Sequence, residues 1–188
     1  MCGRYSLFDN QDNAEILKII QEVSRRHPEM EFHKGEIYPT NRVPVLLSEA
    51  NTIVADLSSW GFPKYRGSGV IINARAETAD EKRTFRDSLL FRRCVIPSTG
   101  FYEWDSQKKK RLFRLPGEQT LFMGGIYKEI QGERRHVILT TVANDSVRNI
   151  HDRMPVILTR DRVEEWIFET NTALDYMRGA MPLLDETG

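Results

Sequence analysis

A single α+β domain on a curved, mostly antiparallel β-sheet, with a few peripheral helices, is the fold this sequence predicts. Three observations predict it. One amphipathic stretch near the N-terminus has the helical period, the middle of the chain breaks into short β-branched or aromatic runs, and only two further helix starts are signalled. The 188 residues suit one domain, taken as 1–188, and no linker, repeat or low-complexity tract divides them.

The elements follow in order. Residues 11–26 carry Ala14, Ile16, Leu17, Ile19, Ile20 and Val23 on one helical face, and Pro28 stops that helix. Runs at 43–47, 52–57, 70–72, 92–96, 111–115, 121–126 and 136–142 read as strands between polar, Gly or Pro breaks. Residues 107–110 read as a hairpin turn whose lysines are solvated charge. Thr78-Ala79-Asp80-Glu81 fits a capping box and predicts a helix from there to about residue 90. Asp161, with Glu164 three residues on, predicts a short helix over 161–169.

Composition excludes several classes. Hydrophobic residues at 40% and aromatics at 10% argue against disorder, and 27 cations balance 27 anions, so overall charge does not mark a nucleic-acid binder. Cys2 and Cys94 are the only cysteines, which argues against a disulfide scaffold or a Cys-rich zinc site. Cys94, in the apolar run Cys94-Val95-Ile96, reads as a small core residue. His27, His33 and His136 match no ligand spacing, so no metal and no cofactor is assigned. Without a signal-type segment or an apolar run of about 20 residues, the chain reads as soluble, cytosolic and clear of the membrane. A reducing compartment keeps Cys2 a thiol.

Cys2 is the most informative residue. Removal of Met1 leaves it with an α-amine and a thiol on adjacent carbons. Such a 1,2-aminothiol condenses with an aldehyde to a Schiff base, and the thiol then closes a five-membered thiazolidine. Reference pKa values of about 7.7–8.0 for the amine and about 8.5 for the thiol leave both partly nucleophilic near neutrality. An incidental second residue is the plain alternative.

Four segments concentrate chemically capable side chains: Cys2-Gly3-Arg4; Asn73-Ala74-Arg75-Ala76-Glu77-Thr78; Gly100-Phe101-Tyr102-Glu103-Trp104; and His151-Asp152-Arg153-Met154-Pro155. Each has a structural reading as well. Asn73 at a strand-to-helix junction satisfies a turn or holds a ligand. Glu103 is the outward residue of an alternating edge strand, or it faces inward, where burial raises its pKa and suits it to proton transfer. His151 is a hydrogen-bonded loop residue or an acid–base group.

Together with the Trp60-Gly61 pair, these motifs in this order resemble the SOS-response-associated peptidase family, the abasic-site-processing proteins, from Cys2 to about Leu158. The resemblance implies an irregular β-rich pseudo-barrel with a groove for single-stranded DNA. It also implies one site shared by Cys2, Asn73, Glu103 and His151. In that family the N-terminal Cys captures the ring-opened aldehyde of an abasic site as a stable thiazolidine crosslink, which shields the lesion. Only Met1 precedes Cys2 here, so an aminopeptidase suffices to expose it.

Carried onto these residues, the resemblance makes Cys2 the source of the amine and Glu103 the proton shuttle of dehydration and ring closure. Asn73 holds the amine or the opened sugar, and His151 protonates the departing sugar oxygen. Arg4 and Arg75 are the leading phosphate contacts, with Arg153 weaker because Asp152 beside it offers a local pair. Trp60 or Trp104 stacks on a neighbouring base or packs in the core. Lys82, Arg83, Arg86, Arg92 and Arg93, against Asp87 alone, form a groove wall or a solvated helix face. The expected partner is single-stranded DNA containing abasic sites, met by a monomer of bacterial type at the nucleoid during repair. The family's Asn- and Pro-containing terminal strand has no counterpart in Leu183-Leu184-Asp185-Glu186-Thr187-Gly188.

Three rival activities use the same residues. A thiol (auto)peptidase would pair Cys2 with His151 and needs no free amine. A lyase would stop at the Schiff base and cleave the strand. A single-strand binding module would leave Cys2 without a role.

Overall fold

The structure, a computed structural model, describes residues 2–187. In chain order the strands are β1 (Arg4–Leu7), β2 (Gly35–Ile37), β3 (Arg42–Glu49), β4 (Thr52–Trp60), β5 (Phe62–Pro63), β6 (Val70–Ile71), β7 (Asn73–Arg75), β8 (Arg93–Ser98), β9 (Gly100–Trp104), β10 (Lys110–Arg114), β11 (Leu121–Ile130), β12 (Glu133–Val142), β13 (Arg153–Pro155), β14 (Ile157–Leu158) and β15 (Asp185–Thr187). The helices are α1 (Ala14–Arg26), α2 (Arg86–Phe91), α3 (Val163–Phe168) and α4 (Thr170–Arg178), with 3-10 turns at Ala76–Thr78 and Arg160–Arg162.

Five strands close a barrel in the order β12-β4-β3-β8-β11 and back to β12. All its pairings are antiparallel except β4 with β12, where Ser59 faces Arg135 and Trp60 faces His136. Closure removes the open edges that a curved sheet would otherwise expose. The barrel wall is apolar, as in β8, where Cys94, Val95 and Ile96 are all fully buried. His136 is sealed in the same wall with its Nδ1 3.0 Å from the Ser58 hydroxyl, and burial pushes its pKa down to about 3. Gly125 is required where strands crowd, since a Cβ there would lie 2.3 Å from Ile96 Cδ1 and 2.9 Å from the Val137 carbonyl.

A second sheet, ordered β15-β10-β9-β1-β2, carries the N-terminus. Gly100 opens β9 at φ +149°, and a Cβ there would meet Leu112 Cδ1 at 2.7 Å. Glycine therefore lets β9 lie against β10. Beyond the barrel, β7 runs parallel to β12, and β13 pairs with the last residues of the same strand. The C-terminal half of β12 thus carries a segment on each side.

Helix α1 starts one turn later than its pattern allows, because Asn13 caps it by accepting the Ile16 N–H at 3.1 Å. Burial of Ile16, Ile19 and Val23 contributes roughly 1.5–3 kcal/mol each, against about 1 kcal/mol for the cap, so packing on β3 and β4 holds this helix. Trp166 of α3 seats the helix pair against the barrel, donating its indole N–H to the Cys94 carbonyl at 2.9 Å.

Three sequence expectations need correction. The helix expected from Thr78 begins only at Arg86. Thr78 belongs to a 3-10 turn, so its carbonyl accepts from Glu81 and Lys82 while its buried hydroxyl caps nothing. The helix expected over 161–169 is a 3-10 turn followed by α3, and α4 comes after it unannounced. A terminal strand does exist: β15 covers the edge of β10, with Leu112 opposite Thr187 and Arg114 opposite Asp185.

Candidate functional site

The fold brings the motif segments together from separate elements. Cys2 precedes β1, which lies between β2 and β9. Because Arg4 faces Tyr102 and Tyr5 faces Phe101, one further step along the register sets Glu103 beside Gly3. Asn73 opens β7 and pairs with Ile138 of β12. His151 stands two residues ahead of β13 on the other side of that strand.

Direct contacts join part of this group. Asn73 donates its Nδ2–H to the Cys2 carbonyl at 2.9 Å, and its Oδ1 is buried with no hydrogen-bond partner among the described residues. The Cys2 thiol is fully buried and leans on the Arg4 carbonyl at 3.7 Å. Burial, and then the Glu103 charge, push that thiol well above its ordinary pKa. Glu103 is only 4% exposed, which rules out the outward reading. Burial raises its pKa, and His151 opposes the rise whenever its ring carries a proton charge.

Trp60 is not at the surface. It is fully buried, packs on Tyr5 at 5.2 Å between ring centroids, and donates its indole N–H to the Ile72 carbonyl at 3.0 Å. A sealed ring cannot stack on a base, so the core reading holds. Trp60 nonetheless shapes the site, tying the strand after Cys2 to the residue before Asn73.

The remaining expected DNA contacts divide. Arg75 is exposed next to the site. Arg4 is half-buried, pairs with Glu36 at 3.0 Å and lies over the rings of Tyr38 and Trp104, at 3.6 and 5.3 Å. Half-buried Trp104 therefore backs Arg4 with one ring face. Arg153 is corrected: it is 8% exposed and forks onto Glu77, both N–O distances being 2.8 Å, so it is not a surface cation. Its partner is Glu77 rather than Asp152, which instead lies 2.9 Å from His151 Nδ1. Within the basic segment, Arg93 is buried and donates to the carbonyls of Leu89, Leu90, Trp166 and Ile167, pinning α2 to α3. Lys82, Arg83 and Arg86 remain exposed.

One surface feature escaped the sequence reading. The β5–β6 hairpin presents Lys64-Tyr65-Arg66 at its tip, with Tyr65 97% exposed. This arm joins Trp60-Gly61 directly to Asn73. An aromatic between two cations in a Gly-Ser-Gly break was the available signal. Among the described residues no cluster of His, Cys, Asp or Glu is arranged to hold a metal ion, and no helix is long and apolar enough to cross a membrane.

These features define an α+β barrel protein with a near-terminal cysteine in a buried, acid-containing polar site. The chain belongs to the SOS response associated peptidase family, which it matches over residues 1–185. It is 31% identical to the abasic site processing protein YoqW of Bacillus subtilis, over 98% of this chain and 88% of that one. With the abasic site processing protein YedK of Escherichia coli it shares 27% identity, over 89% and 79% of the two chains. Among solved structures, a protein from Bordetella bronchiseptica superposes with a TM-score of 0.77 at 21% identity, covering 99% of this chain and 98% of the other, a likeness of fold.

Proposed function

We propose that this protein processes abasic sites by capturing the ring-opened sugar in single-stranded DNA as a thiazolidine on Cys2, once Met1 has been removed. The observation that carries the reading is a buried Glu103 with a raised pKa acting on a Cys2 that Asn73 holds by its carbonyl. Relatives named as abasic site processing proteins supply the substrate class.

The steps balance with the residues present. The Cys2 amine adds to the C1′ aldehyde to give a carbinolamine, and protonation of its hydroxyl expels one water to leave an iminium. The thiol sulfur then attacks the iminium carbon and loses its proton, closing the ring. Glu103, with a pKa moved toward neutrality, gives the proton in the first stage and takes it back in the second. The buried Asn73 Oδ1 is an acceptor for the amine or a sugar hydroxyl. His151, when doubly protonated, acts on Glu103 by its charge and protonates the departing sugar oxygen. Arg75, Lys82, Arg83 and Arg86, with Tyr65 on its hairpin, offer phosphate contacts and a stacking face without reading base edges. A thiol peptidase would need a ready thiolate, and burial of the Cys2 thiol works against one.

Intact-mass spectrometry before and after mixing with an abasic-site oligonucleotide tests the reading. The expected product lacks Met1 and gains the oligonucleotide less one water, and Cys2→Ala forms none. Cys2→Ser keeps the amine and should yield a borohydride-trappable imine with strand cleavage. A folded chain without Met1 that forms no adduct would overturn the proposal.

A further inference from the structure

Arg153 lies between two parts of the site. Its guanidinium forks onto Glu77, two residues after Arg75, and also donates to the Thr140 carbonyl on β12 at 2.6 Å. Glu77 in turn accepts from the Thr141 hydroxyl at 3.3 Å. One ion pair therefore ties the turn after Arg75, the end of β12 and the start of β13. The planar fork suits this bidentate geometry, which the single ammonium of lysine does not reproduce. Hydrogen bonding to Arg153 holds the Glu77 carboxyl below the usual carboxylate range.

The backbone of the same arginine touches the imidazole. The Arg153 N–H donates to His151 Nδ1 at 3.0 Å, while Asp152 Oδ1 lies 2.9 Å from that nitrogen. These neighbours make opposite demands. A backbone N–H needs a lone pair on Nδ1, and a carboxylate needs a proton there. Arg153 is anchored and buried, whereas the Asp152 side chain is 86% exposed and free to turn into water. The fixed donor defines the neutral ring, and Asp152 accepts Nδ1–H only when the ring takes a second proton.

We propose that the Glu77–Arg153 ion pair is a positioning brace, which holds neutral His151 in the tautomer with its proton on Nε2. The neutral ring thereby keeps Nε2–H as a hydrogen-bond donor, and it transfers that proton only after taking a second one at Nδ1, where Asp152 accepts it. This role rests on the thiazolidine reading, but the tautomer itself does not. Arg153 is on this account a positioning residue and contacts no phosphate.

The test combines ¹⁵N NMR of the His151 ring with DNA measurements on the mature full-length chain. In the wild type above the ring's titration, Nδ1 should resonate as an unprotonated nitrogen and Nε2 as a protonated one. Glu77→Gln should move both toward averaged values. It should also slow crosslinking at saturating DNA by about tenfold, as loss of orientation does. Its Kd for an unreactive tetrahydrofuran abasic analogue should stay within about twofold, as expected of an effect on orientation rather than binding. Glu77→Asp, which keeps the charge and withdraws it by one methylene, should move the ring signals the same way and serves if the Gln variant does not fold. Unchanged ring signals in a folded variant, or tighter DNA binding by Glu77→Gln, would overturn the brace, the latter because it would make Arg153 a partly neutralised phosphate contact. A wild type without adduct but with the Nε2–H signature would sink the thiazolidine reading and leave the brace standing.

Discussion

Two buried carboxylates, Asp56 on β4 and Glu103 on β9, are 8% and 4% exposed, yet their surroundings push them in opposite directions. Burial raises both. At Asp56 the Arg134 guanidinium at 2.5 Å, the Leu57 N–H at 2.7 Å and His27 at 2.5 Å outweigh that rise and hold the carboxyl below its usual range. At Glu103 a protonated His151 only moderates it. A satisfied charge holds a fold together, while an acid displaced toward neutrality is poised to exchange protons. The Asp56 cluster fastens the end of α1 to the barrel, and the Glu103 environment is the one that suits chemistry.

Asp56→Asn should have the largest effect, on stability alone. Breaking a buried pair strands the partner charges and costs about 3 kcal/mol. Chemical denaturation should show that loss, with the crosslinking rate of the folded fraction unchanged. The pH dependence has a definite sign. A lowered folded pKa gives stability present above the ordinary Asp value and lost as pH falls through the folded one, so the variant should lack part of the acid-side loss below about pH 4. A slowed reaction in folded Asp56→Asn would erase the distinction between the two sites.

Glu103→Gln should do the reverse. General acid–base catalysis contributes about 100-fold or more, so crosslinking should slow by about that factor in single-turnover assays. A raised folded pKa stabilises the protein below the ordinary Glu value, and this contribution is lost as pH rises through the folded pKa. The Gln side chain carries no such loss. Stability measured against pH should therefore be flatter above about pH 4.3 in the variant than in the wild type. A destabilised variant with full activity would make Glu103 a second Asp56.

Of this contrast the sequence marked only Glu103, as one of two alternatives, while much of the surrounding fold was legible beforehand. The strand runs emerged because β-branched residues and short breaks recur at sheet spacing. The motif segments marked the site because rare polar types cluster where packing would not place them. What stayed hidden depends on long-range partners. Glu103 in alternation reads first as an outward residue, and only its burial in the fold decides otherwise. Trp60, Arg93 and Arg153 each had a DNA-contact reading open in the sequence, but each is buried where carbonyls or a carboxylate satisfy it: Ile72, Leu89 and Trp166, and Glu77 respectively. The Thr78 capping box failed because the preceding turn consumed the conformation a cap requires. Family resemblance, more than propensity, singled out the candidate site.

The smallest effect is expected outside both carboxylates, at the β5–β6 hairpin. Tyr65 is 97% exposed, so Tyr65→Ala should leave the denaturation midpoint unmoved. Stacking of a base on an aromatic ring is worth about 1–3 kcal/mol, so Kd for single-stranded DNA should rise by about tenfold at fixed salt. Tyr65→Trp should recover the affinity, because any aromatic face serves. The rate at saturating DNA should match the wild type, since neither Glu103 nor Cys2 has changed surroundings. Arg66→Ala on the same arm should instead reduce the salt dependence of binding, the signature of a lost phosphate contact. If Tyr65→Ala slows the saturated reaction while leaving affinity intact, the arm belongs with Glu103 as part of the chemistry.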